Sequence, residues 1–205
     1  MMISLNRRGF PIILTAPSGA GKTTLSRAIV KMHPELYYSI SVTSRPPRPG
    51  EQDGVDYHFV STQEFEKMLE ADELIEWAMV HDNYYGTPKR PIQERLDAGI
   101  DVIMDIDTVG ARAIKKLYPQ GAAIFVLPPS LEELARRLRG RATDTEEVIK
   151  KRLNRAKLEM AEIGDFDYFI VNDVFDDAVR AAVSIIEAER CRLSRYQLKQ
   201  IIDIK

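Results

Sequence analysis

The sequence predicts an α/β fold in which helices cover both faces of a parallel sheet. Three observations carry that expectation. Four short apolar runs, Ile12–Thr15, Val102–Ile106, Ala123–Leu127 and Tyr168–Val171, are bounded by turn or polar residues and read as buried strands. Helical patterns lie between them, and such alternation calls for a parallel sheet. The third is size. A chain of 205 residues, 44% hydrophobic and 29% charged, can bury roughly 70% of its unfolded surface without a disulfide or metal.

The elements follow in order. After the first strand, Leu25, Ala28, Ile29 and Met32 repeat at i, i+3, i+4, i+7, an amphipathic helix. From Tyr37 to Pro88 the alternation breaks. Two short strands, Ser39–Thr43 and Tyr57–Val60, flank a turn rich in Pro, Gly and Arg, so residues 37–88 read as a small insertion. Residues 1–36 and 89–205 then form the core. Ser61 and Glu64 make a capping box before Phe65, Met68 and Leu69; Ser130 and Glu133 make another before Leu134 and Leu138. The polar stretch Arg139–Glu147 interrupts a helical region and reads as a lid or a surface loop, the lid spanning about residues 137–152. A long pattern from Asp176 to Lys199 reads as the C-terminal helix.

Charge and cysteine usage narrow the function classes. A formal net charge of −2 argues against a general nucleic-acid binder. No apolar run is long enough for a membrane span, and no signal peptide is read at the N-terminus. One cysteine, Cys191, allows no internal disulfide and suits a reducing compartment, so a cytoplasmic protein is expected. His33, His58 and His81 have no metal-ligand spacing. Arg outnumbers Lys by 18 to 11. Arg is the planar fork that suits phosphate, although surface bias gives the same count.

The most specific local signal is Ala16-Pro17-Ser18-Gly19-Ala20-Gly21-Lys22-Thr23. It fits G-x-x-x-x-G-K-[ST] at three of four fixed positions, Ala16 replacing the first glycine. A strand precedes it and a helix follows, as a phosphate loop requires. Glycines let successive N–H groups point at phosphate oxygens, and the helix N-terminus adds a favourable dipole. Lys22 then reaches the β- and γ-phosphates, and Thr23 holds Mg²⁺. The run Val102–Asp107 ends in Asp105 and Asp107 where a metal-associated carboxylate is expected; Asp105 would act through water. The fold expectation sharpens to a P-loop three-layer αβα core. Asp107-Thr108-Val109-Gly110 fits the D-x-x-G of switch GTPases, but no N-K-x-D follows to read a bound guanine nucleotide.

The insertion offers a second site. Prolines 46, 47 and 49 hold Arg45 and Arg48 in an extended turn, where two guanidinium forks and the Tyr57 hydroxyl can enclose a phosphate. A solvated proline turn reads the same way. Glu76 lies between Ile75 and the only tryptophan, Trp77, and a carboxylate in such company needs a donor partner. A structural Arg supplies one; so does a guanine base through N1–H and N2–H₂.

Ten segments stand in order along the chain: Ala16–Thr23, Ser41–Arg45, Pro47–Glu51, Asp56-Tyr57, Ile75–Trp77, Asn83–Thr87, Asp105–Asp107, Arg137–Arg141, Lys151-Arg152 and Ile170–Asp173. This set resembles the bacterial guanylate kinases of the nucleoside monophosphate kinase group, from about Phe10 to Arg190. The resemblance implies ATP-dependent phosphorylation of GMP to GDP with Mg²⁺, in purine nucleotide metabolism and GMP recycling. It implies that Arg45, Arg48, Tyr57 and Tyr85 bind the GMP phosphate, with Glu51 supporting the arginines. Ser41, Glu76, Thr87 and Asp107 would read guanine. Arg137, Arg141 and Arg152 would close on ATP phosphates, and Asn172 would border the adenine. Partners would be the two nucleotides, with no nucleic acid and no membrane. A non-catalytic peptide-binding relative typically loses the phosphate loop, which this chain keeps.

Overall fold

The computed structural model describes residues 7–80, 82–140 and 145–196. In chain order the elements are β1 (Pro11–Thr15), α1 (Lys22–Met32), β2 (Tyr37–Tyr38), β3 (Val42–Thr43), β4 (His58–Phe59), α2 (Thr62–Glu70), β5 (Leu74–Val80) and β6 (Asn83–Pro88). They continue with α3 (Lys89–Asp97), β7 (Val102–Asp105), α4 (Thr108–Leu117), β8 (Ala122–Leu127), α5 (Leu131–Arg139), α6 (Glu146–Ala161), β9 (Tyr168–Val171) and α7 (Phe175–Arg190).

The large sheet has the order β2-β7-β1-β8-β9, and every pairing in it is parallel. Strand β1 is central and buried throughout, because consecutive side chains enter different cores. Ile12 and Leu14 pack with Leu25 and Ile29 of α1 and with Ala182 and Ile186 of α7. Ile13 faces the other way, toward Ile92 and Leu96 of α3 and Ile114 of α4. A strand covered on both faces reads as an unbroken apolar run, which is why these strands are visible in the sequence. Truncating any of these isoleucines or leucines to alanine costs about 2–5 kcal/mol. Pro11 is tolerated because it opens the strand.

The smaller sheet, β4-β3-β6-β5, belongs to the insertion. Its own core is Val42, Phe65 and Leu74, with Tyr84 stacked on Phe65 at 5.0 Å between ring centroids. Helix α2 has the expected capping box at Ser61 and Glu64. Helices α5 and α6 share a separate cluster of Leu134, Leu138, Ile149 and Ala156.

Three expectations change. The expected strands Ser39–Thr43 and Tyr57–Val60 shrink to Val42–Thr43 and His58–Phe59. Tyr37 and Tyr38, read with the insertion, pair with Val102 and Ile103 at the edge of the large sheet. The C-terminal helix stops at Arg190, not Lys199. Beyond it the chain turns back. Arg195 Nε donates to Glu189 O at 2.6 Å, and its guanidinium lies 3.5 Å from the Phe10 ring centroid. A cation on the last carbonyls of a helix is favourable, and that tertiary contact outweighs the helical pattern. Residues 197–199 lie outside the described residues.

Candidate active site

Strands β1 and β7 are neighbours with Leu14 beside Asp105, so the loop after β1 and the end of β7 emerge together. This is the carboxyl edge of a parallel sheet, where ligands of such folds bind. Gly19 (φ 95°) and Gly21 (φ 93°) give the loop its turn in a region that side chains disfavour. Helix α1 starts after Gly21 with no side-chain cap and no acidic residue in its first turn. Its N–H groups and dipole therefore stand open to an anion. Lys22 Nζ donates to Ile106 O at 2.6 Å and lies 3.8 Å from Asp105 Oδ1. Ser26 Oγ is 3.0 Å from Thr23 O and 3.3 Å from Asp105 Oδ2.

One cavity of about 800 Å³ runs from this loop across to the insertion. Of the residues singled out in the sequence, it is lined by Ala16, Pro17, Ser18, Gly19, Gly21, Lys22 and Thr23 on the loop side. Asp105 lines it beside Lys22. Ser41, Tyr57, Glu76, Tyr85 and Asp107 line it further toward the insertion, and Arg152 lines it from α6.

Glu76 reaches the cavity through an irregularity in β5. The register with β6 shifts between Leu74 and Glu76, leaving Ile75 as an extra residue, and Glu76 then faces Thr87. Bulges re-aim side chains in this way. Glu76, Ala78 and Val80 line the cavity, while Trp77 and Met79 are exposed on the other face. Thr87, 1% exposed, donates its hydroxyl to Glu76 Oε1. Burial pushes the Glu76 carboxyl above its ordinary range, with Asp107 adding to the effect and Thr87 and Lys22 opposing it. Asp107 caps α4 by accepting from Gly110 N at 2.8 Å.

Arg45 is almost buried behind Tyr57 and Tyr85. Its Nη1 and Nη2 each donate to a Glu51 carboxylate oxygen at 2.9 Å, Nη1 also to Pro46 O at 2.7 Å, and Nε to Tyr85 Oη at 3.2 Å. Four of the five guanidinium donors are thereby fixed, leaving one N–H for a ligand. Glu51 also accepts from Arg48 N at 2.7 Å. Hydrogen bonds from Arg45 hold the Glu51 carboxyl below its usual range. The Arg45 guanidinium lies 5.5 Å from the Tyr57 ring centroid, and burial pushes the Tyr57 hydroxyl up. Arg48 is exposed.

Other sequence candidates sit outside the cavity wall. Ala20 is fully buried, and its carbonyl accepts from Asn172 Nδ2 at 2.8 Å. Asn172, expected beside an adenine, thus supports the phosphate loop from behind. A Cβ at Gly21 would stand 2.5 Å from that same Nδ2. Arg137 donates to Glu133 Oε1 at 2.8 Å and to Asn172 O at 3.0 Å, which ties it to α5 rather than to the cavity. Arg136 and Arg137 together hold the Glu133 carboxyl down to about 2. Arg141 lies outside the described residues.

On the inner face of α6 sequence reasoning gave a role to Arg152 alone. Val148, Lys151, Arg155 and Glu159 line the cavity with Arg152. Their spacing of three and four is a helical face, a signal present in the sequence but masked by the alternating charges. Arg155 Nε donates to Glu159 Oε1 at 2.9 Å.

A glycine loop between a central strand and an uncapped helix, opening onto a cavity with a second polar end, defines a P-loop nucleotide-binding protein of the αβα class. The comparisons resolve this class further. The guanylate kinase family model matches residues 8–189. A guanylate kinase of Geobacter sulfurreducens is 52% identical over 191 residues, spanning 93% of this chain and 94% of that protein. One from Carboxydothermus hydrogenoformans is 46% identical over 196 residues, 96% of each chain. The crystal structure of guanylate kinase from Anaplasma phagocytophilum superposes with a TM-score of 0.83 at 30% identity, covering 98% of this chain and 97% of that one. The chain belongs to the guanylate kinase family.

Proposed function

We propose that the protein transfers a phosphoryl group from ATP to GMP, giving ADP and GDP. The observation that carries this reading is that one cavity is lined both by the phosphate loop and by Ser41, Tyr57, Glu76, Tyr85 and Asp107. In this reading the loop N–H groups and Lys22 hold the ATP phosphates. Arg45, Arg48, Tyr57 and Tyr85 receive the GMP phosphate. Glu76 and Asp107 accept from guanine N1–H and N2–H₂, and Ser41 and Thr87 add hydroxyls near the base.

A GMP phosphate oxygen attacks the γ-phosphorus, a new P–O bond forms in line, and the bond to the β-phosphate oxygen breaks with its electron pair leaving on ADP. The chain contributes position and charge rather than a nucleophile. Arg152, with Lys151 and Arg155 beside it on α6, brings cations over the transferring group. Closing α6 toward the insertion excludes water, which strengthens each contact and suppresses ATP hydrolysis.

Thr23 and Asp105 fit a magnesium ion. A hydroxyl and one carboxylate are hard oxygen donors on the same wall as Lys22, and Mg²⁺ is held by few protein ligands beside substrate phosphates. When bound, the ion would supply charge neutralisation at the substrate phosphates. Among the described residues, no helix is long and apolar enough to cross a membrane. The single exposed cysteine suits work in the cytoplasm.

The direct test is ADP release from ATP with each nucleoside monophosphate as acceptor. Release that depends on GMP supports the reading; ATP or GTP hydrolysis without an acceptor refutes it. A second measurement concerns Glu51. Glu51→Gln is expected to raise the KM for GMP about tenfold with kcat little changed, because one charged hydrogen-bond partner of Arg45 is lost. The Glu51 carboxyl is depressed in the folded chain. Its stabilising contribution is therefore present above the ordinary carboxylate range and lost as pH falls through the folded value. Acid melting curves should show that loss in the parent chain and not in Glu51→Gln.

A further inference from the structure

Gly110 stands third in α4, inside the helix's first turn. Glycine is disfavoured there, since alanine loses less backbone freedom on folding. Backbone conformation does not demand it, because Gly110 is not among the positive-φ glycines. Its surroundings do. A Cβ at Gly110 would lie 3.0 Å from Glu76 Oε2, 3.1 Å from Glu76 Cδ and 3.4 Å from Asp107 Oδ1. Every one of these atoms belongs to a carboxylate facing the cavity. Glu76 has little room to retreat, since the Thr87 hydroxyl holds its other oxygen.

We propose that Gly110 is a specificity-positioning residue for the acceptor base. Its bare Cα lets the Glu76 carboxylate lie against the first turn of α4, beside Asp107, where the pair accepts the guanine donors. This rests on the guanylate reading of the cavity.

Gly110→Ala tests it by steady-state kinetics with GMP and ATP varied separately, alongside thermal melting. A displacement of a few tenths of an ångström in a base-reading carboxylate is expected to raise the KM for GMP about tenfold. The kcat and the KM for ATP should change less than about twofold, and the melting temperature should not fall, because alanine favours the helix. Glu76→Asp supplies the second arm by drawing the carboxylate back one methylene. In that background Gly110→Ala should add less than about twofold to the KM for GMP, since the collision is already relieved. An unchanged KM for GMP in Gly110→Ala overturns the proposal. So does a tenfold effect that persists in the Glu76→Asp background, or a lowered melting temperature with both KM values altered alike. Absence of GMP-dependent ADP release in the unmodified chain would instead overturn the guanylate reading, and it is seen before any variant is made.

Discussion

Lys22→Ala is expected to lower GMP-dependent ADP release on the order of 10³-fold while the chain stays folded. Lys22 is the first residue of α1, directly after the left-handed Gly21, so its Cα is fixed by the loop. Its ammonium stands within 3.8 Å of Asp105 and donates to Ile106 O, on the wall of the cavity. Truncation removes the point charge that follows the β- and γ-phosphates as negative charge redistributes between them. The folding cost is small by comparison. It leaves Ile106 O without its donor and Asp105 without a cation, about 1 kcal/mol where water from the cavity can take over. Lys22→Arg should restore little, because a planar fork cannot occupy the position of a compact ammonium. A coupled ADP assay and a melting curve measured together decide the matter. Unchanged turnover removes Lys22 from the reaction, and loss of the cooperative melt makes it a structural residue.

The placement of Lys22 is legible in the sequence because the pattern that fixes it is local. Eight contiguous residues fix the loop, and the flanking strand and helix have unambiguous periods. The central strands were legible for a related reason, since burial on both faces leaves unbroken apolar runs. Contacts between distant segments were harder to read. Nothing local to Leu74–Val80 announces the register shift that turns Glu76 toward Thr87. Arg137 has the composition of a phosphate ligand, and no local pattern shows that its Nε and Nη2 donate to Glu133 and to Asn172 O. Asn172 itself is drawn to Ala20 O across 152 positions of sequence. The C-terminal helix fails at Arg190 because Arg195 finds Glu189 and Phe10. Most of these contacts join segments far apart in sequence, which no local pattern shows.

Glu76→Gln should lower kcat/KM for GMP about 10²-fold, the scale of a lost hydrogen bond to a buried charged group with a donor set against donors. Glutamine keeps one acceptor for the Thr87 hydroxyl but presents an amide N–H₂ where guanine also offers N–H groups. The loss should be specific. AMP has no N1–H to pair with a carboxylate, so its weak turnover should not fall with the substitution, and the GMP preference narrows. Stability moves the other way. Burial raises the Glu76 carboxyl above its ordinary value, so its charged form opposes folding. That opposition sets in as pH rises through the unfolded value and is complete above the folded one. At neutral pH the glutamine chain should therefore melt no lower than the parent. The same raised carboxyl gives a pH signature in binding. As pH falls, the acceptor is protonated sooner than an ordinary glutamate, and the KM for GMP should rise in the parent chain while staying flat in Glu76→Gln. A parent profile without that acid limb, or unchanged GMP turnover in the variant, would take Glu76 out of the base site. The expected pattern has a general cause: a carboxylate whose charge is taken out of water by burial costs the fold stability, and a base with two adjacent donors is the partner that recovers it.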